Sequence, residues 1–407
     1  MPFSKLGLAP SVCSSLRGLG YTQPTPVQTA AIPLVLGGAD LLARAQTGTG
    51  KTAAFGLPMI DRLVSRRRRT SSRGPFGLVL VPTRELAMQV HRSLATYGTQ
   101  AQLRVAPIFG GVAMPAQVKA LKHGVDIVVA TPGRLIDHVQ RRTIDLSAIE
   151  ILTLDEADRM LDMGFLPPLR RLLAALPQWR QTLLFSATLS DAVVRCAAEF
   201  TSNPARVDVV HGDPVAPTIT HRIHPVDIDR KRDLLVHVLT QGRASGQALV
   251  FCKTKRGADR VGEYLKRSGL DTAVIHGDKG QGSRTRSLAD FKTGRVSVLV
   301  ATDIAARGLD IAQLPLVVNY DLPLVPGDYI HRVGRTGRAG TAGCAVSLVT
   351  AADRELLRGI QRLLTVPLER VTVTGFESTG GAGRTTARRR SAPMPSRIRP
   401  TSLPAPM

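Results

Sequence analysis

"ILTLDEADRMLDMGF", residues 151–165, runs from four strand-forming residues straight into three carboxylates, Asp155, Glu156 and Asp158. A short, mainly apolar run of this kind reads as a strand buried on both faces. Acids at its end either decorate a helix N-terminus, where the dipole favours them, or help to hold a cation. The rest of the chain decides between these readings.

The same pattern recurs on both sides of that stretch. Strand-like runs fall at 78–81, 127–130 and 183–185, then at 248–251, 273–275, 296–301, 316–319 and 345–349, with helical stretches between them. Strands alternating with helices predict parallel sheets, and at 407 residues the chain is long enough for two α/β domains in tandem. Polar clusters close nearly every run: "PTRELA" (82–87), "TPGR" (131–134), "SAT" (186–188), "CKTK" (252–255), "HGD" (276–278) and "TDIAARGLD" (302–310). Ligands of open parallel sheets gather at the carboxyl ends of strands, so these clusters are expected to share one face.

The formal net charge is +23, from 54 Lys and Arg against 31 Asp and Glu, which favours a polyanionic partner such as nucleic acid. A basic tail does not account for it, because residues 376–407 carry six Arg and one Glu and so leave +18 for the remainder. Four widely spaced cysteines suggest neither a metal knuckle nor a disulfide framework. Without an apolar leader or a long apolar run, the expected location is the cytoplasm, with no membrane association. Three prolines within 201–220 predict a linker over 208–220, between domains at 1–207 and 221–373. The insert "SRRRRTSSRG" (65–74) reads as a solvated loop, and the Gly-, Arg- and Pro-rich 374–407 as a flexible, disordered basic tail.

"AQTGTGKT" (45–52) follows an apolar run and precedes a helix expected from about Thr52 to Leu63. Thr47, Gly48, Thr49 and Gly50 would aim backbone N–H groups at phosphates, Lys51 would reach the β- and γ-phosphates, and Thr52 would take Mg2+. Ala45 stands where the general pattern has Gly. Given this loop, Asp155 is expected to help hold the Mg2+, and Glu156 to orient and deprotonate the attacking water. Arg332, Arg335 and Arg338, spaced three apart in "YIHRVGRTGRAG" (329–340), would bring guanidinium groups to the γ-phosphoryl from the second domain.

Together these motifs resemble the DEAD-box ATP-dependent RNA helicases of superfamily 2, and among them the bacterial RhlE-type members. The likeness runs from Phe3 to about Val373, with the motifs in the family's order. It implies two RecA-like domains, ATP and Mg2+ as cofactors, and local unwinding of RNA without strong sequence preference. In the "GYTQPTPVQ" segment (20–28), Gln28 matches the adenine-reading position, with Phe3 upstream stacking on the ring. Ser186 and Thr188 match a hydroxyl bridge from Asp158 to His331, Arg335 and Arg338 the two arginine fingers, and Asp310 a ribose contact. For RNA, the likeness points to Arg84, Gly110, Gly111, Thr131 and Arg134 in the first domain, and to Lys253, Thr254, Arg284 and Thr302 in the second. Gly280 stands where many relatives carry Ser.

The implied partners are single-stranded RNA and short duplex regions, with ribosomal or RNA-decay ribonucleoprotein compatible, and the chain is expected to be a monomer. Two rivals stay open on the sequence: a DNA-directed helicase of the same superfamily, and an RNA clamp without turnover.

Overall fold

The computed structural model describes residues 2–46, 48–67, 75–209, 218–241, 246–306, 309, 311, 313–337, 342–364 and 366–378. In the first half, strands β1 (Leu41–Arg44), β2 (Gly77–Leu80), β3 (Val105–Ile108), β4 (Ile127–Ala130), β5 (Ile151–Leu154), β6 (Gln181–Ser186) and β7 (Ala205–Asp208) form one sheet. Helices α1 (Pro10–Gly18), α2 (Pro26–Leu36), α3 (Lys51–Arg67), α4 (Arg84–Tyr97), α5 (Met114–Lys122), α6 (Pro132–Gln140), α7 (Ala157–Asp162), α8 (Leu166–Ala174) and α9 (Asp191–Phe200) accompany it. The second half repeats the plan with β8 (Ile219–Pro225), β9 (Ala248–Cys252), β10 (Thr272–Ile275), β11 (Val298–Thr302), β12 (Leu316–Asn319), β13 (Gly343–Val349) and β14 (Glu369–Arg370). Its helices are α10 (Lys231–Gln241), α11 (Lys255–Arg267), α12 (Gln281–Lys292), α13 (Asp303–Ala306), α14 (Pro326–Val333) and α15 (Arg354–Leu363).

The strand order is β3-β4-β2-β5-β6-β1-β7 in one sheet and β10-β11-β9-β12-β13-β8-β14 in the other, all parallel. Counted from the first strand of each domain, the two orders are the same. Successive strand residues go to opposite faces: Leu183 and Phe185 of β6 join the core on one side, Leu184 the core on the other. β4 divides likewise, Ile127 and Val129 against Val128 and Ala130. Burial on both faces is why these strands carry no polar alternation. Pro107 sits in β3, an edge strand, where its missing N–H costs the sheet nothing.

This order positions the site. Because β6 lies between β5 and β1, the "SAT" turn stands between the acids and the glycine loop, with all three at the carboxyl edge.

Three boundaries differ from the sequence expectation. Asp208 pairs with Arg44 in β7, and Ile219 and Thr220 pair in β8, so the predicted linker is strand at both ends; 210–217 lie outside the described residues. Residues 65–67 of the basic insert continue α3, while 68–74 lie outside the described residues. The tail was expected to begin at 374, yet Phe376 packs on α10, its ring 5.4 Å from that of His237 and beneath the Arg230 guanidinium at 4.8 Å. Ser378 also donates to Asp227 at 2.9 Å. An aromatic ring next to a half-buried helix finds apolar cover there, which composition alone does not reveal; 379–407 lie outside the described residues.

Candidate active site between the domains

From β1 the chain passes through Gly48, Thr49 and Gly50 into α3, with Gly48 and Gly50 at φ 86 and 92. Only glycine adopts this conformation freely, and a Cβ at Gly50 would also collide with the amide of Gln28. Gln28, 2% exposed, donates from Nε2 to the Gly50 carbonyl at 3.1 Å and accepts at Oε1 from Thr25 N at 2.9 Å. The side chain thus ties the N-terminal segment to the glycine loop. Phe3 was expected to offer its ring for stacking. It is instead 5% exposed in the first-domain core, edge-on to Tyr21 with centroids 6.3 Å apart, because Tyr21 supplies the apolar contact that the ring needs.

Lys51, the first residue of α3, is 6% exposed, and its Nζ has no hydrogen-bond partner among the described residues. Burying an ammonium without a partner is costly, so the group is built for an anion. Nearby Asp155, 3% exposed, has its pKa pushed up to about 6, first by burial and then by the neighbouring Glu156 and Asp158, with Lys51 opposing. A buried carboxylate held short of charge compensation is the complement of a metal cation. Among the described residues no cluster of three or more metal-ligating side chains is present, so a cation here would lean on phosphate oxygens as well as on protein. Glu156 follows at φ 56, a left-handed conformation rare for a residue with a side chain. That turn separates the Glu156 side chain from the line of β5, and α7 begins immediately after it.

Asp158 joins this edge to the neighbouring strand. Its Oδ2 accepts from Ala187 N at 3.1 Å, Thr188 N at 3.0 Å and the Thr188 hydroxyl at 3.1 Å. Ser186 Oγ accepts from Thr188 N at 3.3 Å, and the Ser186 carbonyl accepts from Ala45 N at 3.0 Å, below the glycine loop. The "SAT" turn therefore connects the acids to the phosphate loop.

Glu156, Arg159, Phe251, Asp328, His331 and Arg335 line one cavity between the two domains. Arg335, 8% exposed, donates to the Leu309 carbonyl at 2.7 Å. Arg332 does not share its role. Only 2% exposed, it grips Asp303 with two bonds of 2.6 and 2.7 Å, donates to Asn319 Oδ1 at 3.0 Å and Asp321 O at 2.6 Å, and lies over the Phe251 ring. These four hydrogen bonds all stay inside the second domain, so it holds α14 in place.

Among the described residues, two ionic contacts cross the domain boundary. Arg159 on α7 pairs with Asp328 on α14. Arg284 on α12 pairs with Glu85 on α4 at 2.9 Å, and Gln281 donates to the same Glu85 at 3.1 Å. This corrects the expectation for Arg284, assigned to RNA from the sequence: it is 8% exposed and faces a carboxylate of the other domain. Glu85, Arg159 and Asp328 were missed as site residues, since nothing in a single sequence reports a pairing across two domains.

The other expected RNA residues lie on the same edges. Arg84 begins α4 and stacks its guanidinium against Gly110 and Gly111, where a Cβ on Gly111 would collide with it. Thr131 stands at the N-cap of α6, and Arg134 reaches back to the Val112 carbonyl at 3.0 Å. In the second domain, Lys253 N donates to Asp321 at 2.9 Å, Thr254 caps α11 by accepting from Gly257 N at 3.0 Å, and Thr302 ends β11. Thr47, Asp310 and Arg338 lie outside the described residues.

Comparison with known proteins gives a consistent result. Residues 25–196 match the model of the DEAD/DEAH box helicase family, and residues 230–340 the helicase conserved C-terminal domain. The DEAD-box ATP-dependent RNA helicase CshA of Bacillus cereus is 41% identical over 369 residues, covering 91% of this chain and 69% of the relative. Among solved structures, S. cerevisiae Dbp5 bound to RNA and ADP BeF3 aligns with a TM-score of 0.80 at 32% identity, covering 91% of this chain and 95% of that one. A single-substitution variant of S. cerevisiae Dbp5, in complex with Nup159, a Gle1 variant, IP6 and ADP, aligns at the same 32% identity with a TM-score of 0.61, covering 90% and 96%.

Proposed function

The chain belongs to the DEAD-box family of ATP-dependent RNA helicases, and on that premise we propose that its two RecA-like domains close on ATP and a single RNA strand, coupling hydrolysis to local duplex opening. The observation carrying this reading is the shared cavity, in which Glu156 of one domain faces His331 and Arg335 of the other. The two Dbp5 alignments support closure: at equal identity, the RNA- and nucleotide-bound form fits this chain better, as expected if its domains are arranged in the same way.

In this reading Thr47, Gly48, Thr49 and Gly50 surround the phosphates with backbone N–H groups and Lys51 neutralises them. Thr52 and Asp155 would hold Mg2+, which when bound spreads the charge of the transferring phosphoryl group. Glu156 orients a water and takes its proton; Arg335, with Arg338, supplies guanidinium charge from the facing domain. Gln28 reports nucleotide binding to the loop through its bond to Gly50, with Asp310 assigned to the ribose by family likeness. Ser186, Thr188 and Asp158 pass the state of the acids towards His331.

RNA contacts fall to Arg84, Gly110, Gly111, Thr131, Arg134, Lys253, Thr254 and Thr302, mostly short or cationic groups suited to phosphate and sugar oxygens. Binding is accordingly independent of sequence. Arg284 acts in closure rather than on the strand. We assign the first domain to about 1–208 and the second to about 219–378. Placement among RhlE-type members, a cytoplasmic location, a monomeric state and a ribosomal or RNA-decay ribonucleoprotein target rest on the sequence reading alone. Among the described residues no helix is long and apolar enough to cross a membrane.

The deciding experiment is ATP turnover with matched RNA and DNA oligonucleotides, for the wild type and Glu156→Gln. RNA alone should stimulate the wild type, since the 2'-OH distinguishes the two. The variant should keep ATP and RNA binding while turnover falls by about 10² to 10⁴. Equal stimulation by DNA, or a wild-type rate no higher than that of Glu156→Gln, would overturn the reading.

A further inference from the structure

Resting on the RNA path proposed above, we propose that the groove between α5 and the turn after α6 is a second RNA site, which takes the flanking single strand as it leaves the interdomain cleft. The groove is lined by Met114, Pro115 and Val118 on its floor and by Lys119, Lys122 and Arg141 on its rim. The three cationic residues are exposed, and the described lining residues include no carboxylate. Cations beside an apolar floor suit a strand of nucleic acid, with phosphates on the rim and base faces on the apolar side chains.

Position selects the occupant. The groove begins at Met114, three residues after Gly111, and Val112 between them is 37% exposed. A strand lying across Gly110, Gly111 and Arg134 therefore meets the groove without leaving the surface. α5 has nine residues, about 13 Å of rise, enough for roughly two to four nucleotides between extended and stacked spacing. An acidic peptide would satisfy the rim equally, but nothing would lead it past Gly110 and Gly111.

The groove is also preformed. Gln117, on the buried side of α5, donates to the Phe109 carbonyl at 2.8 Å and bonds the fully buried His138 of α6 at 3.0 Å. His138 bonds the Thr143 hydroxyl on the opposite wall at 2.8 Å, and Arg134 holds the Val112 carbonyl. Both walls are thereby joined to each other and to the loop that carries Gly110 and Gly111, so little ordering is needed on binding.

The test uses the full chain and its Lys119→Ala/Lys122→Ala/Arg141→Ala variant, whose changes are all at exposed positions. Oligouridine of about six nucleotides, on the scale of a single-strand binding site, is compared with the same oligomer extended at its 5' or its 3' end. The wild type should gain affinity from extension at one end only, because the groove leaves the cleft in one direction. The variant should lose that gain, about tenfold, with its salt slope reduced by about 2. Its affinity for the short oligomer and its RNA-stimulated turnover should be unchanged. Retention of the gain by the variant overturns the proposal, as does tight binding of oligoglutamate that the triple substitution abolishes, which would make the groove a peptide site. Failure of the wild type to bind even the short oligomer overturns the RNA path itself, and is thereby distinct.

Discussion

The Arg159 guanidinium on α7 of the first domain is paired with the Asp328 carboxylate on α14 of the second, and both side chains are nearly buried. A pair at such depth gains little net stability from its charges, but it is expensive to break on one side only. It also forms only when the domains face each other, which makes it a gauge of the closed arrangement.

Asp328→Asn should therefore act on coupling. With Arg159 left facing a neutral amide, closure is disfavoured, so RNA-stimulated turnover should fall at least tenfold while nucleotide binding to the first domain holds. Steady-state kinetics beside nucleotide titration would check this. Unchanged turnover at saturating RNA would remove the pair from the coupling scheme.

Arg332 gives a prediction of stability. Arg332→Ala leaves Asp303 without its bidentate partner and removes the bonds to Asn319 and Asp321. Loss of one member of a buried pair costs roughly 3 to 5 kcal/mol. Chemical denaturation should register this in the second domain. Arg332→Lys should rescue it poorly, since an ammonium cannot reproduce the planar fork.

Acid sensitivity follows from His221. Burial pushes its pKa from 6.5 down to about 4, its Nδ1 bonds Tyr329 Oη at 2.9 Å, and Nε2 has no partner among the described residues. The folded state keeps this ring neutral, so between about pH 6.5 and 4 the unfolded chain binds a proton that the fold refuses. Stability is full above that window and declines as pH falls through it, by on the order of 3 kcal/mol for this one ring. His91 and His138 are shifted in the same direction by burial and add to the slope. Melting temperature measured across the window should show the decline, and His221→Leu should flatten part of it. An unaltered slope in the variant would assign the effect to other groups.

Legibility in the sequence followed the range of the interactions involved. β4, β5 and β12 begin and end where their strand-like runs do, because a strand covered on both faces is mostly apolar and stands out from its polar flanks. β7, β8 and β14 carry mixed residues such as Arg206, Thr220 and Glu369, since strands near a sheet edge meet solvent, and periodicity passes over them. The placement of Lys51, Asp155 and Glu156 at the carboxyl ends of β1 and β5 was readable because strand and loop patterns are local. Arg284 and Arg332 were misread for one reason: a guanidinium is equally at home on a phosphate or a carboxylate, and only the three-dimensional partner decides. Gln117 and His138 left no trace, as each is unremarkable until α5 and α6 are set side by side.

Both sheets follow one strand order, yet only one of them opens onto a glycine loop. β8 occupies in its sheet the place that β1 holds in the other, and it passes through Val226 and Asp227 into α10 with no glycine on the way. On the closure proposed above, the duplicated scaffold is divided in labour, one copy housing the fuel and the other acting as its lid. Each chain is then a single-stroke device: one triphosphate, one closing, one release.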